Sequence, residues 1–146
     1  MPALTGSCLC GAIRYAISVP VTELRACHCK SCQKVSGGGG TVNAMLPSEA
    51  FEITQGTLKR YTAIADSGRT LHRYFCAGCG TPIYSQREQN PEFLTVRAGS
   101  FDEPPPMTIG LHIWTKSARP WSYIDPAARQ HPGQPDSPPT SPPTRP

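Results

Sequence analysis

At 146 residues the chain is sized for one domain, and its net charge of +4 is small for a nucleic-acid binder, which usually presents a dense basic patch. No apolar run is long enough to span a membrane, and no apolar stretch of the secretory type follows Met1. The seven cysteines are therefore expected to stay reduced in the cytoplasm, which argues against disulfides and for metal.

The first motif is G-S-C-L-C-G over residues 6–11, with Cys8 and Cys10 at i and i+2. Residues 12–19 mix alternation with β-branched and aromatic side chains, which predicts a strand stopped by Pro20. A second strand over 21–27 runs into Cys27-His28-Cys29-Lys30-Ser31-Cys32, where three cysteines fall within six residues. Residues 32–36 predict a short helix, ended by the four glycines 37–40.

Strands are expected at 41–46 and at 51–54, the latter turning at Gly56 to pair with 58–61 as a hairpin. Residues 63–69 read as a loop. The strand 70–75 delivers Cys76-Ala77-Gly78-Cys79-Gly80, and short strands follow at Ile83-Tyr84, 93–97 and 111–114. Trp121 and Ile124 are expected to close the fold. Many short strands with glycine and proline turns, and no sustained 3.6-residue period, indicate an all-β domain over 1–124.

Residues 125–146 hold no aliphatic side chain larger than alanine and are dense in proline, which predicts a disordered tail. Its Asp125, Asp136, Arg129 and Arg145 cancel, so the excess positive charge sits on the folded part and suits a small acidic ligand.

Thiolate sulfur is the preferred soft ligand for zinc, and a closed structural site takes four ligands, often as two distant pairs. Cys8/Cys10 and Cys76/Cys79 make such a set, each pair followed by glycine. Cys27, Cys29 and Cys32 then stand alone as a three-ligand site with one open position, the mark of a catalytic zinc. Spacing leaves other partitions open. The triplet could close on an outside cysteine, His28 or His72, or one closed zinc could coexist with three inert thiols. His28 alternates away from its cysteine neighbours and reads as a surface or supporting residue. His72 and His112 read as core or edge histidines, and Trp114 as a core or pocket-wall residue. Arg14, Arg25, Lys30 and Lys34 are solvated in the plain reading, but those beside the triplet could hold a carboxylate.

The ordered motifs G-S-C-L-C-G-A-I-R-Y, C-H-C-K-S-C-Q-K-V-S-G, F-E-I-T-Q-G-T-L-K-R-Y, R-Y-F-C-A-G-C-G-T-P-I-Y and H-I-W-T-K-S-A-R-P-W make the chain resemble the glutathione-dependent formaldehyde-activating enzyme family, which also contains centromere protein V. The resemblance covers residues 6–124. It implies a zinc-stabilised β-tent of several short antiparallel sheets, with two zinc ions per chain. One would be structural, on Cys8, Cys10, Cys76 and Cys79; the other catalytic, on Cys27, Cys29 and Cys32. It also implies that glutathione and formaldehyde combine to S-hydroxymethylglutathione, a carbon–sulfur lyase reaction run in either direction. Tyr15, His28 and Asp66 are the candidates for proton transfer. The competing reading is a non-catalytic zinc-binding module that contacts protein or nucleic acid, with the proline-rich tail as a ligand for proline-reading domains.

Overall fold

The computed structural model describes residues 3–135. The strands, in chain order, are β1 (Leu4–Ser7), β2 (Arg14–Ile17), β3 (Leu24–Cys27), β4 (Thr41–Pro47), β5 (Phe51–Gln55), β6 (Lys59–Ile64), β7 (Thr70–Phe75), β8 (Pro82–Arg87), β9 (Phe93–Arg97), β10 (Ile109–Ile113) and β11 (Arg129–His131). The α-helix among the described residues, α1 (Lys30–Ser36), follows β3 directly. The all-β expectation holds. No helix of the described residues is long and apolar enough to cross a membrane.

The strands form two sheets. A three-stranded antiparallel sheet runs β1-β2-β5, and an eight-stranded sheet runs β11-β10-β3-β4-β9-β8-β7-β6. The larger sheet is antiparallel from β3 to β6, but β10 runs parallel to both β3 and β11.

Side chains directly opposite in a ladder share a face. Ala44 faces Val96, Tyr84 faces Val96, and Leu46 faces Leu94. This face packs on Tyr15 and Ile17 of the small sheet to make the core. An aromatic column crosses the same boundary. Tyr15 meets Phe51 at 4.8 Å between centroids, Phe51 meets Tyr84 at 5.0 Å, and Tyr84 stacks on Tyr74 at 4.4 Å. Tyr15 is fully buried, and its hydroxyl lies 2.6 Å from Ser100 Oγ, which donates to the Arg97 carbonyl.

Three local expectations are corrected. Residues 51–54 and 58–61 do not pair with each other: β5 joins β2, and β6 joins β7, so the chain changes sheet between them. The apolar residues of β5 are needed against Tyr15, and that contact outweighs the local turn. Trp121 does not close the fold, being 70% exposed, with the Arg119 guanidinium 5.9 Å from its ring. The predicted tail does not begin at Asp125 as an unstructured segment. β11 adds to β10, and Arg129 pairs with Glu23, so backbone pairing and one ion pair supply what side-chain apolarity does not. The remainder of that segment, 136–146, lies outside the described residues. β1 was not anticipated, because Leu4-Thr5-Gly6-Ser7 has little β-branched or aromatic character.

Replacing Tyr15 with Phe should cost about 1 kcal/mol, the worth of one buried hydrogen bond. Urea unfolding checks this, and an unchanged midpoint would show that the Ser100 contact contributes nothing.

Candidate active site

The seven cysteines gather into two clusters, Cys8/Cys10/Cys76/Cys79 and Cys27/Cys29/Cys32, with the sulfurs of each within 4.8 Å of one another. This is the grouping expected from spacing.

The four-sulfur cluster joins two hairpin turns. Cys8 and Cys10 lie between β1 and β2, where Gly11 at φ +79° reverses the chain; Cys76 and Cys79 lie between β7 and β8, where Gly80 at φ +79° does the same. The Ile13 N–H donates to Cys8 Sγ at 3.3 Å. Thr81 stitches the turns together: its hydroxyl accepts from the Leu9 N–H at 3.1 Å and lies 3.2 Å from Cys79 Sγ. Bonds from the Thr81 hydroxyl, its N–H and the Cys10 N–H pull the Cys79 thiol down to about 5. The Cys8 and Cys10 sulfurs are 3.6 Å apart, and those of Cys10 and Cys76 3.8 Å. A tetrahedral ion with sulfur at about 2.3 Å requires edges of about 3.8 Å. The cluster fits a metal ion.

The triplet is built by the start of α1. Cys27 ends β3, Cys29 is the helix N-cap, and its sulfur accepts from the Cys32 N–H at 3.3 Å. Asp66, from the turn between β6 and β7, caps the same end, accepting from the Lys30 N–H at 3.1 Å and the Ser31 hydroxyl at 3.0 Å. Gln33 holds the helix from the other side. Its Nε2 donates to the His28 and Ser117 carbonyls, each at 2.8 Å, and its Oε1 accepts from Arg119. Gly40 lets β4 start against the loop, since a Cβ there would lie 2.1 Å from the Cys27 carbonyl oxygen.

The Cys32 thiol is drawn well below its ordinary value. The Cys27 and Cys29 thiols donate to its sulfur, and the Thr41 hydroxyl and the Arg97 charge add to the effect. Cys27 is pushed up because its proton bonds to the Cys29 and Cys32 sulfurs and its site is buried. The triplet thus already stabilises negative charge on sulfur, as a thiolate site for a cation must.

The triplet opens onto a cleft lined by apolar and polar side chains together, the character of a small-molecule site. Ladder register decides what lines it. On the face of the large sheet opposite the core, Arg25 lies across from Asn43, Asn43 from Arg97, Arg73 from Ser85, and Leu71 from Arg87. Arg25, Arg69, Arg73, Arg87 and Arg97 all line the cleft, as do Trp114 and Phe93. Arg97 is buried, and its Nη1 donates to Asn43 Oδ1 at 2.8 Å while Asn43 donates to Thr41. Trp114 adopts φ +58°, rare for a bulky residue, and its Nε1 donates to Gln134 Oε1 at 3.0 Å.

Of the three proton-transfer candidates, Asp66 lines the cleft and the other two do not. Tyr15 sits in the core. His28 is not a surface residue, being 5% exposed, and its Nε2 lies 2.9 Å from Nδ1 of the buried His112. The strand pairing of β3 with β10 turns the two rings together. His72 bonds with Thr62 and Glu88 and belongs to neither cluster. Of the basic residues singled out in the sequence, Arg25 reaches the cleft, whereas Arg14, Lys30 and Lys34 do not line it. Arg69, Arg73, Arg87 and Arg97 were missed, because only the ladder register reveals that they converge.

Residues 3–117 match the glutathione-dependent formaldehyde-activating enzyme family, which is most of the chain. The chain belongs to that family. A relative from Halomonas elongata is 27% identical over 131 residues, covering 84% of this chain and 81% of its own length. One from Podospora anserina is 29% identical over 94 residues, covering 63% of this chain and 43% of its own. Both carry the family's name provisionally. A Fusarium vanettenii relative is likewise matched over 45% of its length, so this chain spans under half of these fungal proteins. A crystal structure of a Rhodobacter sphaeroides protein superposes with a TM-score of 0.56 at 20% identity, over 72% of this chain and 99% of that one, and shares the fold.

The clusters should respond differently to loss of a sulfur. Cys76→Ser should lower the Tm by about 10 °C or more, since a bound metal there ties two hairpins together. Cys29→Ser should leave the Tm within about 3 °C, because serine also serves as an N-cap. Thermal unfolding, with metal per chain measured alongside, checks both.

Proposed function

We propose that the chain is a zinc-dependent enzyme of carbon–sulfur chemistry that joins a small thiol, glutathione in the family's reaction, to formaldehyde. The observation that carries the reading is the placement of the Cys27/Cys29/Cys32 sulfurs on the wall of the arginine-lined cleft. Zinc held by these three residues would keep a fourth sulfur, that of the substrate, as a thiolate at neutral pH. Cys8, Cys10, Cys76 and Cys79 would hold a second, structural zinc.

The protein's own residues do the rest. Asp66 and Gln33 fix the helix that carries Cys29 and Cys32. Arg97 offsets the negative charge of the sulfurs from below. The cleft arginines bind the substrate's acidic groups and orient its sulfur toward the triplet, and Trp114 and Phe93 narrow the space left for water. The thiolate sulfur then forms a bond to the carbonyl carbon, the C=O π pair moves to oxygen, and that oxygen takes from water the proton that the thiol released to water on ionising. In the reverse direction the carbon–sulfur bond breaks, which is lyase chemistry. The reduced thiols this requires favour the cytoplasm as the setting of the reaction. The non-catalytic reading is disfavoured because five basic residues converge inside a cleft rather than along an exposed stripe.

Zinc analysis and an assay with carbon-13 formaldehyde followed by NMR test this together. The wild type should hold two zinc ions and form the hydroxymethyl adduct of glutathione faster than the uncatalysed mixture. Cys29→Ser should hold one zinc and give only the uncatalysed rate. A Cys29→Ser protein with full zinc and full activity would sink the proposal.

A further inference from the structure

The cleft carries more positive charge than the family's thiol can match. Among the described residues, five arginines line it, and Asp66 is the one carboxylate that does. That carboxylate is committed to the N-terminus of α1 through Lys30 and Ser31. Guanidinium groups stay charged at any working pH. A divalent ion on three thiolates would add one more negative charge. With Arg97 set against that charge, Arg69, Arg73 and Arg87 leave three positive charges for the ligand to meet.

Their arrangement points the same way. Arg97 is buried beneath the triplet and bonded to Asn43, so its charge serves the sulfurs. Arg69, Arg73 and Arg87 form no ion pair with a carboxylate among the described residues. Arg69 Nη1 and Arg73 Nε are buried without an acceptor. Buried donors of this kind are rarely left unmatched when a site is filled. Arg87 is held below its ordinary value by burial and then by the like charges of Arg69 and Arg25. Such crowding is costly unless an anion relieves it. Guanidinium forks match the paired oxygens of carboxylates and phosphates.

We propose that the arginine end of the cleft selects a thiol, or the adduct of one, whose tail is a dianion without an ammonium group. The inference rests on the reading of the triplet as the seat of sulfur chemistry. Glutathione has two carboxylates but also an ammonium, so its tail carries a net single charge, and no uncommitted carboxylate among the described residues of the cleft receives that ammonium. A thiolate with a dianionic tail balances the three remaining charges. Two carboxylates or one phosphate monoester supply the same chemistry.

Calorimetry on the zinc-loaded full chain tests the selection with thioethers, which need no reaction at sulfur. The probes are the S-methyl forms of mercaptosuccinate, 2-mercaptoethyl phosphate and glutathione. At least one dianion should bind about tenfold more tightly than S-methylglutathione, the gain expected from one added charge-assisted contact. The tighter of the two dianions tells dicarboxylate from phosphate. Arg73→Gln and Arg87→Gln should each lose about tenfold of that affinity, while Arg60→Gln, whose residue pairs with Tyr74 on the core-facing side, should bind as wild type does. Wild-type dianion affinity should also fall as salt is raised, a readout that needs no variant to fold. S-methylglutathione binding as tightly as both dianions, no binding of either dianion, or folded arginine variants that bind like wild type would each overturn the inference. Adduct formation from the free thiols and formaldehyde is scored separately. Dianion binding with no adduct formation would overturn the proposed reaction while still supporting the charge selection.

Discussion

Sulfurs held within 4.8 Å of one another cannot all carry charge unless a cation lies among them. That constraint shapes both ends of this protein. At one end, four sulfurs come from turns of two different sheets, so binding a cation there also fastens the small sheet to the large one. At the other, three sulfurs come from one short loop and the first turn of one helix. Nothing in the fold depends on a fourth ligand there. The same chemical group is therefore arranged so that a cation would act as a fastener in one place and leave an open position in the other.

The large sheet allows these roles to coexist. One of its faces is apolar and packs on Tyr15 and Ile17. The other is polar and carries the cleft. The alternation that buries Ala44 and Val96 also turns Asn43 and Arg97 to the opposite side, next to the triplet. Tyr15, Ser100 and the Arg97 carbonyl connect the faces by hydrogen bonds at the end of β9. Repacking the core near Val96 would thus displace groups that the site relies on.

The cysteine clusters could be read from the sequence because short cysteine spacings act locally: one loop presents its sulfurs whatever the rest of the chain does. The strands between 70 and 113 were legible for a similar reason, as their apolar residues are dense and their breaks are glycine or proline. The destination of β5 was not. A tight turn at Gly56 predicts a hairpin, and only the need to cover Tyr15 sends that strand to the other sheet. The cleft arginines were hidden for the same cause. Arg73, Arg87 and Arg97 are far apart in sequence and look like ordinary alternating polar positions until the ladder register brings them together. The surface alternative for His28 fails because its burial depends on β10, which lies more than eighty residues away at His112.

The short strand β11 has a consequence for the solubility of the chain. It lies beyond the segment that matches the family, which ends at residue 117. It covers the side of β10 where Leu111, His112 and Ile113 are buried, and Arg129 is pinned there by Glu23. A chain cut back to the matched segment would present β10 as an open edge of apolar residues with unpaired N–H and C=O groups. Such an edge is a template for a strand from a second molecule. Three residues, on a stretch whose composition suggests no structure, thus act as a guard against edge-to-edge self-association.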